Sequence, residues 1–203
     1  MTAAQPPASL AGFPVRILQE GSVVYRSHAA DRGAGWRSSI PNTIDPGGGR
    51  FDLASPQGTL YAADDVETAV REKVREAAWV SQAVSDKMAA GFNVAVITVE
   101  YKASCADISS REAAGFGATR QLESEEDYTI THAWAGAFAK AGMQGVRYGS
   151  RFTSGPARAW ATFGIEGTCG LKVSREIPGT VVCAQAGLRV LAPIRRAKDV
   201  TII

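Results

Sequence analysis

The chain has 203 residues, 22 basic and 20 acidic side chains, a net charge of +2, 45% hydrophobic and 21% charged residues. That length suits one well-buried core, and the balanced charge gives no whole-chain case for binding nucleic acid. No apolar run approaches the roughly 18 residues of a membrane span, and three cysteines without a C-x-x-C pair point to buried thiols in a reducing cytoplasm, not to a disulfide or zinc scaffold.

Residues 1–15 lack the basic start and continuous apolar stretch of a signal peptide and read as a flexible lead-in to a single domain over residues 16–203. A first strand over 22–26 ends on Arg26, followed by Ser27 and His28. Residues 31–58 form a long turn-rich connection in which Gly47, Gly48 and Gly49 permit a tight bend or a close backbone approach. Connections of this length are often functional. "GTLYAADD" reads as a strand, with Asp64 or Asp65 capping a helix whose apolar positions, Val66, Ala69, Val70, Val74, Ala77 and Ala78, recur at helical spacing. "FNVAVITVEY" (92–101) is the strongest strand and, apolar on both faces, reads as central. A helix within "EEDYTITHAWAGAFAKAG" ends near Gly142, before the strand "GVRYGS". "WATFGI", "GLKV", "GTVVCAQ" and "LRVLAPI" read as further strands. The fold class is α+β, one domain with a mixed or antiparallel sheet and few helices.

Taken singly, the polar residues carry little. A strand-end arginine such as Arg26 can fork onto a phosphate or carboxylate, although most surface arginines do nothing specific. His28 and His132 have no acidic or cysteine partner nearby in sequence and read as structural. Arg50 closes the glycine-rich loop, where exposed backbone N–H groups followed by a guanidinium suit an anion. The loop matches neither G-x-x-x-x-G-K-[ST] nor G-x-G-x-x-G. Glu72 falls close to the apolar face of its helix, where a carboxylate is costly unless paired or used. Glu67 and Glu76 lie on the polar face. Ser150, in "RYGSRFTSG", lacks the G-x-S-x-G spacing of a hydrolase nucleophile.

In order and spacing, four segments resemble the RES-domain family: Arg26 in "VVYRSH"; Arg50-Phe51 in "GGGRFD"; Leu60, Tyr61, Ala63, Ala69 and Glu72; and Gly145-Val146-Arg147-Tyr148 with Ser150. The resemblance spans roughly residues 22–165. Gly149 departs from an expected proline and Asp52 from an expected asparagine, and "ARAWATFG", around Trp160, lacks an expected asparagine. The family is known for toxins of RES–Xre toxin–antitoxin pairs that degrade NAD+ on a fold similar to ADP-ribosyltransferases. The resemblance thus implies that Arg26 clamps the pyrophosphate or a ribose phosphate, with Arg50 assisting. It implies that Tyr61 stacks on the nicotinamide, Ser150 orients the adjoining ribose, and Glu72 stabilises the cation formed as the nicotinamide bond breaks. Phosphate or water then attacks, with Arg147 and Arg151 as further cations for a phosphate co-substrate. NAD+ is the substrate, and no metal or organic cofactor is called for. The implied partner is a helix-turn-helix antitoxin or an immunity protein, with no direct contact of this chain to nucleic acid or membrane. A homodimer, and export of a cytoplasmic protein as an effector, are both compatible with the sequence.

Two other readings compete. An ADP-ribosyltransferase acting on a macromolecule would use a Q/E-x-E turn, which Gln121-x-Glu123 or Glu123-x-Glu125 supplies, although such an acidic run usually faces water. A non-catalytic NAD+ or nucleotide-binding module would fit the departures at Asp52 and Trp160. Such a module would have no chemical need of Arg26, Tyr61, Glu72 and Ser150 together.

Overall fold

The computed structural model describes residues 4–40, 48–75 and 81–193. The expected Gly47, Glu76, Ala77 and Ala78 positions lie outside them. Twelve strands fall within the described residues, and eight form one mixed sheet. In chain order they are β1 (Val15–Leu18), β2 (Val23–Ala29), β3 (Trp36–Arg37), β4 (Gln57–Ala63), β5 (Ala83–Ser85), β6 (Phe92–Thr98), β7 (Ala103–Asp107), β8 (Gly145–Gly149), β9 (Arg158–Ile165), β10 (Gly167–Thr168), β11 (Lys172–Pro178) and β12 (Arg189–Leu191). The large sheet runs β1-β7-β8-β9-β4-β2-β6-β11. Its β7–β8 pair is parallel and its other pairs are antiparallel. The α+β expectation is met. The strand at 92–98 is paired on both sides but stands next to the edge strand β11, so it is interior without being central.

The large sheet has one irregularity near its middle. β2 pairs with β6 through seven residues and β4 with β9 through seven, yet β2 and β4 share the single pair Tyr25↔Ala63. The sheet splays between them.

Five α-helices lie among the described residues: α1 (Val66–Val74), α2 (Asp86–Ala90), α3 (Gln121–Ser124), α4 (Thr129–Lys140) and α5 (Gly179–Gln185). Asp65 caps α1, its side chain accepting the Thr68 N–H at 2.7 Å. α1 ends at Val74, with Arg75 at φ 49°. Segment 179–185, expected as a strand because of Val181-Val182, is helix α5. Val182, Cys183 and Ala186 bury one helical stripe against Val70, Val84, Phe92 and Val94. Packing overrides the weak β preference of the valine pair. A second core, under α4, gathers Phe13, Phe51, Leu122, Trp134, Phe138 and Val146. Two contacts anchor the lead-in: Phe13 is buried against Phe116 and Phe138, and Trp134 Nε1 donates to Ala4 O at 2.8 Å, while Ala4, Gln5, Ala8, Ser9, Ala11 and Gly12 are exposed. Leu18, Val24, Ala95, Ile97, Cys105 and Trp160 form a third core. No helix among the described residues is long and apolar enough to cross a membrane.

Candidate active site

A cleft of about 360 Å³ opens between the α1 and α4 cores, above the splay of β2 and β4. On α1, Ala69, Glu72 and Lys73 fall three and four residues apart on the cleft face, while Val70 and Val74 on the other face are fully buried. Burying each valine contributes roughly 1.5–3 kcal/mol, so the apolar stripe fixes the rotation of the helix and presents Glu72 to the cleft. The Ser150 hydroxyl, just beyond β8, lies near enough to Glu72 to favour its charged form, and its Oγ accepts the Phe152 N–H at 3.1 Å. Burial pushes the Glu72 carboxyl above the usual range. The Ser150 hydroxyl and the charges of Arg50, Arg75 and Arg151 oppose that shift.

The glycine loop is held from three sides. Asp52, fully buried, accepts the Gly49 N–H at 2.7 Å and the Tyr61 hydroxyl at 2.8 Å. That hydroxyl accepts the Phe51 N–H at 2.8 Å. His132, read as merely structural, donates from Nε2 to Gly49 O at 3.0 Å; a carbonyl only accepts, so Nε2 carries the proton. A Cβ on Gly49 would lie 2.3 Å from the Tyr61 ring, which is why glycine stands there. The Tyr61 hydroxyl is thereby engaged inside the protein, and its ring is what lines the cleft. Burial holds both this phenol and that of Tyr148 well above the usual tyrosine range and lifts the Asp52 carboxyl. Arg50 is buried, donates to Leu122 O and Glu125 O, and lies 4.9 Å over the Tyr128 ring.

Arg26 stands at the splay. Its Nη1 donates to Tyr61 O at 2.8 Å on β4, its Nε to Ala34 O at 2.7 Å and its Nη2 to Trp36 O at 2.9 Å. One of these bonds crosses from β2 to β4 where their ladder is short, and the other two hold the segment at Ala34 and Trp36. Three of its five N–H groups are used, and one on each terminal nitrogen has no partner among the described residues. Burial lowers its pKa.

Arg147 is not brought to the cleft. Successive strand residues face opposite sides of a sheet; Tyr148 lines the cleft, and Arg147 pairs with Asp107 at 3.0 Å on the far face, 5.6 Å over the Trp160 ring. Arg151 does reach the cleft, packed on Phe152 and donating to Ser124 O at 3.3 Å. His28 is buried elsewhere, with Nδ1 donating to Arg32 O at 2.7 Å and Nε2 3.3 Å from Glu176.

Glu123 enters the sequence reading only through the Q/E-x-E turn of the competing transferase. Expected in a solvated acidic run, it is buried, lines the cleft, and accepts the Gly149 N–H on Oε1 at 2.6 Å. The signal available was Leu122, an apolar residue at the start of the run that packs fully into the α4 core. Among the described residues, five cationic side chains (Arg26, Arg50, Lys73, Arg75 and Arg151) line the cleft against two carboxylates, Glu72 and Glu123. An anionic ligand offering several phosphate oxygens suits that balance.

A family model described as RES domain matches residues 23–181. Among solved structures, a chain of the crystal structure of the M. tuberculosis MbcT-MbcA toxin-antitoxin complex is similar to this one, with TM-score 0.60 and 17% identity over 82% of this chain and 89% of that chain. At that identity the likeness is one of fold. No curated protein sequence matches the chain.

Proposed function

The chain belongs to the RES-domain family, and from that premise we propose that it is an NAD+-degrading toxin that breaks the nicotinamide–ribose bond. The observation that carries this reading is Glu72 in a cleft bordered by five cations, with the Ser150 hydroxyl beside it. The cations hold the pyrophosphate, and the Tyr61 ring, immobilised through its hydroxyl, stacks on the nicotinamide. Ser150 orients the ribose and favours the charged form of Glu72. As the C–N bond lengthens, its electron pair leaves with neutral nicotinamide and positive charge builds on the ribose. The Glu72 carboxylate lies beside that charge, and one such preorganised interaction is worth roughly 3–4 kcal/mol. Phosphate or water then forms the new bond to C1 of the ribose. Arg50 and Arg151, both beside Glu72, are the cations suited to an incoming phosphate; Arg147, on the far face, is not. Arg26 acts first as the tie that keeps the two cleft strands at their spacing, and second as a donor of its two remaining N–H groups.

The partner proposed is an antitoxin that covers the cleft, since the similar fold comes from a toxin–antitoxin complex. A second reading, transfer of ADP-ribose to a macromolecule, draws on Glu123 of the Gln121-x-Glu123 turn lining the same cleft. The experiment is incubation of purified protein with labelled NAD+, with and without inorganic phosphate, followed by phosphorus NMR and separation of macromolecules. Phosphate-dependent formation of ADP-ribose-1″-phosphate is the phosphorylase result, and free ADP-ribose the glycohydrolase result. Label on a macromolecule moves the assignment to transfer. NAD+ that binds without being consumed sinks the enzyme reading.

A further inference from the structure

Glu123 and Gly149 form a pair that the roles above leave unused. Glu123 Oε1 accepts the Gly149 N–H at 2.6 Å, and the carboxylate lies so close that a Cβ on Gly149 would stand 3.1 and 3.2 Å from its two oxygens. Gly149 is the last residue of β8, and the next residue, Ser150, carries the hydroxyl that favours the charged form of Glu72. Where Gly149 is held therefore sets where Ser150 meets Glu72. The neighbouring cations are tied to the same short helix by backbone carbonyls: Arg50 through Leu122 O and Glu125 O, and Arg151 through Ser124 O. The Glu123 side chain, on that helix, is occupied by a backbone N–H.

We propose that Glu123 is a positioning residue, its carboxylate pinning the end of β8 through the Gly149 N–H so that Ser150 engages Glu72. The role rests on the reading of Glu72 as the catalytic carboxylate, through which Glu123 acts without touching substrate. It also accounts for Gly149. A proline there has no N–H to give and would leave a buried carboxylate without its backbone donor.

Four variants, Glu123→Gln, Glu123→Ala, Ser150→Ala and the double Glu123→Ala/Ser150→Ala, test the role. Glutamine keeps an acceptor oxygen at Oε1, so kcat stays within about threefold of wild type. Alanine frees the strand end, and kcat falls on the order of 10²-fold, the effect of a small misplacement at a reacting centre, while KM for NAD+ stays within about threefold. The double variant is no slower than Ser150→Ala, because both changes break one chain of contacts. Glu123→Met, similar in length and without an acceptor that can replace the carboxylate, takes the place of alanine should that variant fail to fold.

Two NMR readouts do not need turnover. The Gly149 amide proton is downfield and protected in wild type and Glu123→Gln, and loses both properties in Glu123→Ala. The Glu72 carboxyl titrates at higher pH in Glu123→Ala than in wild type, since the Ser150 contact that lowers it is loosened. If Glu123→Gln is as slow as Glu123→Ala, the charge itself does chemistry and positioning is wrong. If Glu123→Ala leaves kcat, the Gly149 amide and the Glu72 titration unchanged, the pair is idle and positioning is again wrong. If wild type consumes no NAD+, the proposed activity fails by itself, and the two NMR readouts still decide whether Glu123 governs the Ser150–Glu72 contact.

Discussion

Replacing Arg26 by alanine or lysine separates two roles that an arginine at a strand end can have. If it were chiefly an anion clamp, its loss would weaken NAD+ binding and leave the fold alone. The structure gives it a prior task. Three donors from one planar group reach Ala34 O, Tyr61 O and Trp36 O at 2.7–2.9 Å, the Tyr61 bond crossing where β2 and β4 share one pair of residues. Hydrogen bonds to a charged group contribute about 1.5–3 kcal/mol each. Because the three share one partly exposed side chain they are not additive, and a net loss of about 3–5 kcal/mol is expected for Arg26→Ala. For a chain of this size each kcal/mol corresponds to roughly 2–4 °C, so Tm should fall by about 6–20 °C. Arg26→Lys should recover little, because a point ammonium cannot span three carbonyls set around a planar fork. Thermal unfolding followed by circular dichroism supplies Tm, and calorimetry below all midpoints supplies NAD+ affinity. An Arg26→Ala protein with unchanged Tm and lost affinity would refute the carbonyl fork and return Arg26 to the anion clamp.

Glu72→Gln should lower kcat by about 10²–10³-fold, the loss of one preorganised charge contact, with NAD+ affinity within a few-fold by calorimetry; near-normal turnover removes Glu72 from the mechanism. Because burial raises the Glu72 pKa, the acid limb of kcat/KM should lie above the ordinary carboxylate range, and Arg50→Gln should move it higher still, since Arg50 favours the charged form. The same direction makes the folded protein bind this proton more tightly than the unfolded chain, a stabilisation present at acid pH and lost as pH rises through the folded-state pKa. Glu72→Gln should therefore raise Tm at neutral pH, and the gain should vanish in acid; a neutral-pH Tm below wild type contradicts it. Gly49→Ala drives a Cβ into the Tyr61 ring and should destabilise by about 1–3 kcal/mol while slowing turnover, whereas an unaltered Tm would mean the loop is not seated on Tyr61. Arg147→Gln should leave KM for NAD+ unchanged in steady-state assays, and a large rise in KM would bring Arg147 back to the substrate.

What was legible in the sequence is what local pattern encodes. Alternation and β-branched runs gave β2, β4, β6, β8 and β9, and the Asp65 cap with its apolar stripe gave α1 and the inward aspect of Glu72. The four spaced segments gave the cleft residues Arg26, Arg50, Tyr61, Glu72 and Ser150, all of which gather in or beside one cavity. What was not legible depends on partners far along the chain. Glu123 reads as solvated because nothing near it in sequence reveals that Gly149, 26 residues on, will present an N–H. The helix at 179–185 reads as a strand because two adjacent valines outweigh, locally, a face completed only by Val70 and Phe92. Arg147 sits in a motif with Ser150 yet faces away, since strand alternation puts Tyr148 toward the cleft. His132 shows no role in sequence, its target being a carbonyl 83 residues distant.

The way the cleft's charges are held bears on how such a site can work at all. Left alone, buried cations and carboxylates in a small volume would collapse into mutual ion pairs or swing out to solvent. Here two of the cations are held by neutral acceptors, Arg26 by three carbonyls and Arg50 by two and by the Tyr128 ring, while Arg151 meets Ser124 O and the Phe152 ring and also the exposed Glu126 carboxylate at 3.8 Å. Glu72 and Glu123 in turn face neutral donors, the Ser150 hydroxyl and the Gly149 N–H. Neutral partners fix direction without cancelling charge. The field of the guanidinium groups remains available to an anionic ligand and that of Glu72 to positive charge placed beside it, with little reorganisation on binding. Burial raises both carboxyl pKa values and these donors oppose the rise, so protonation of Glu72 on acidification should relieve the fold at this site, not stress it.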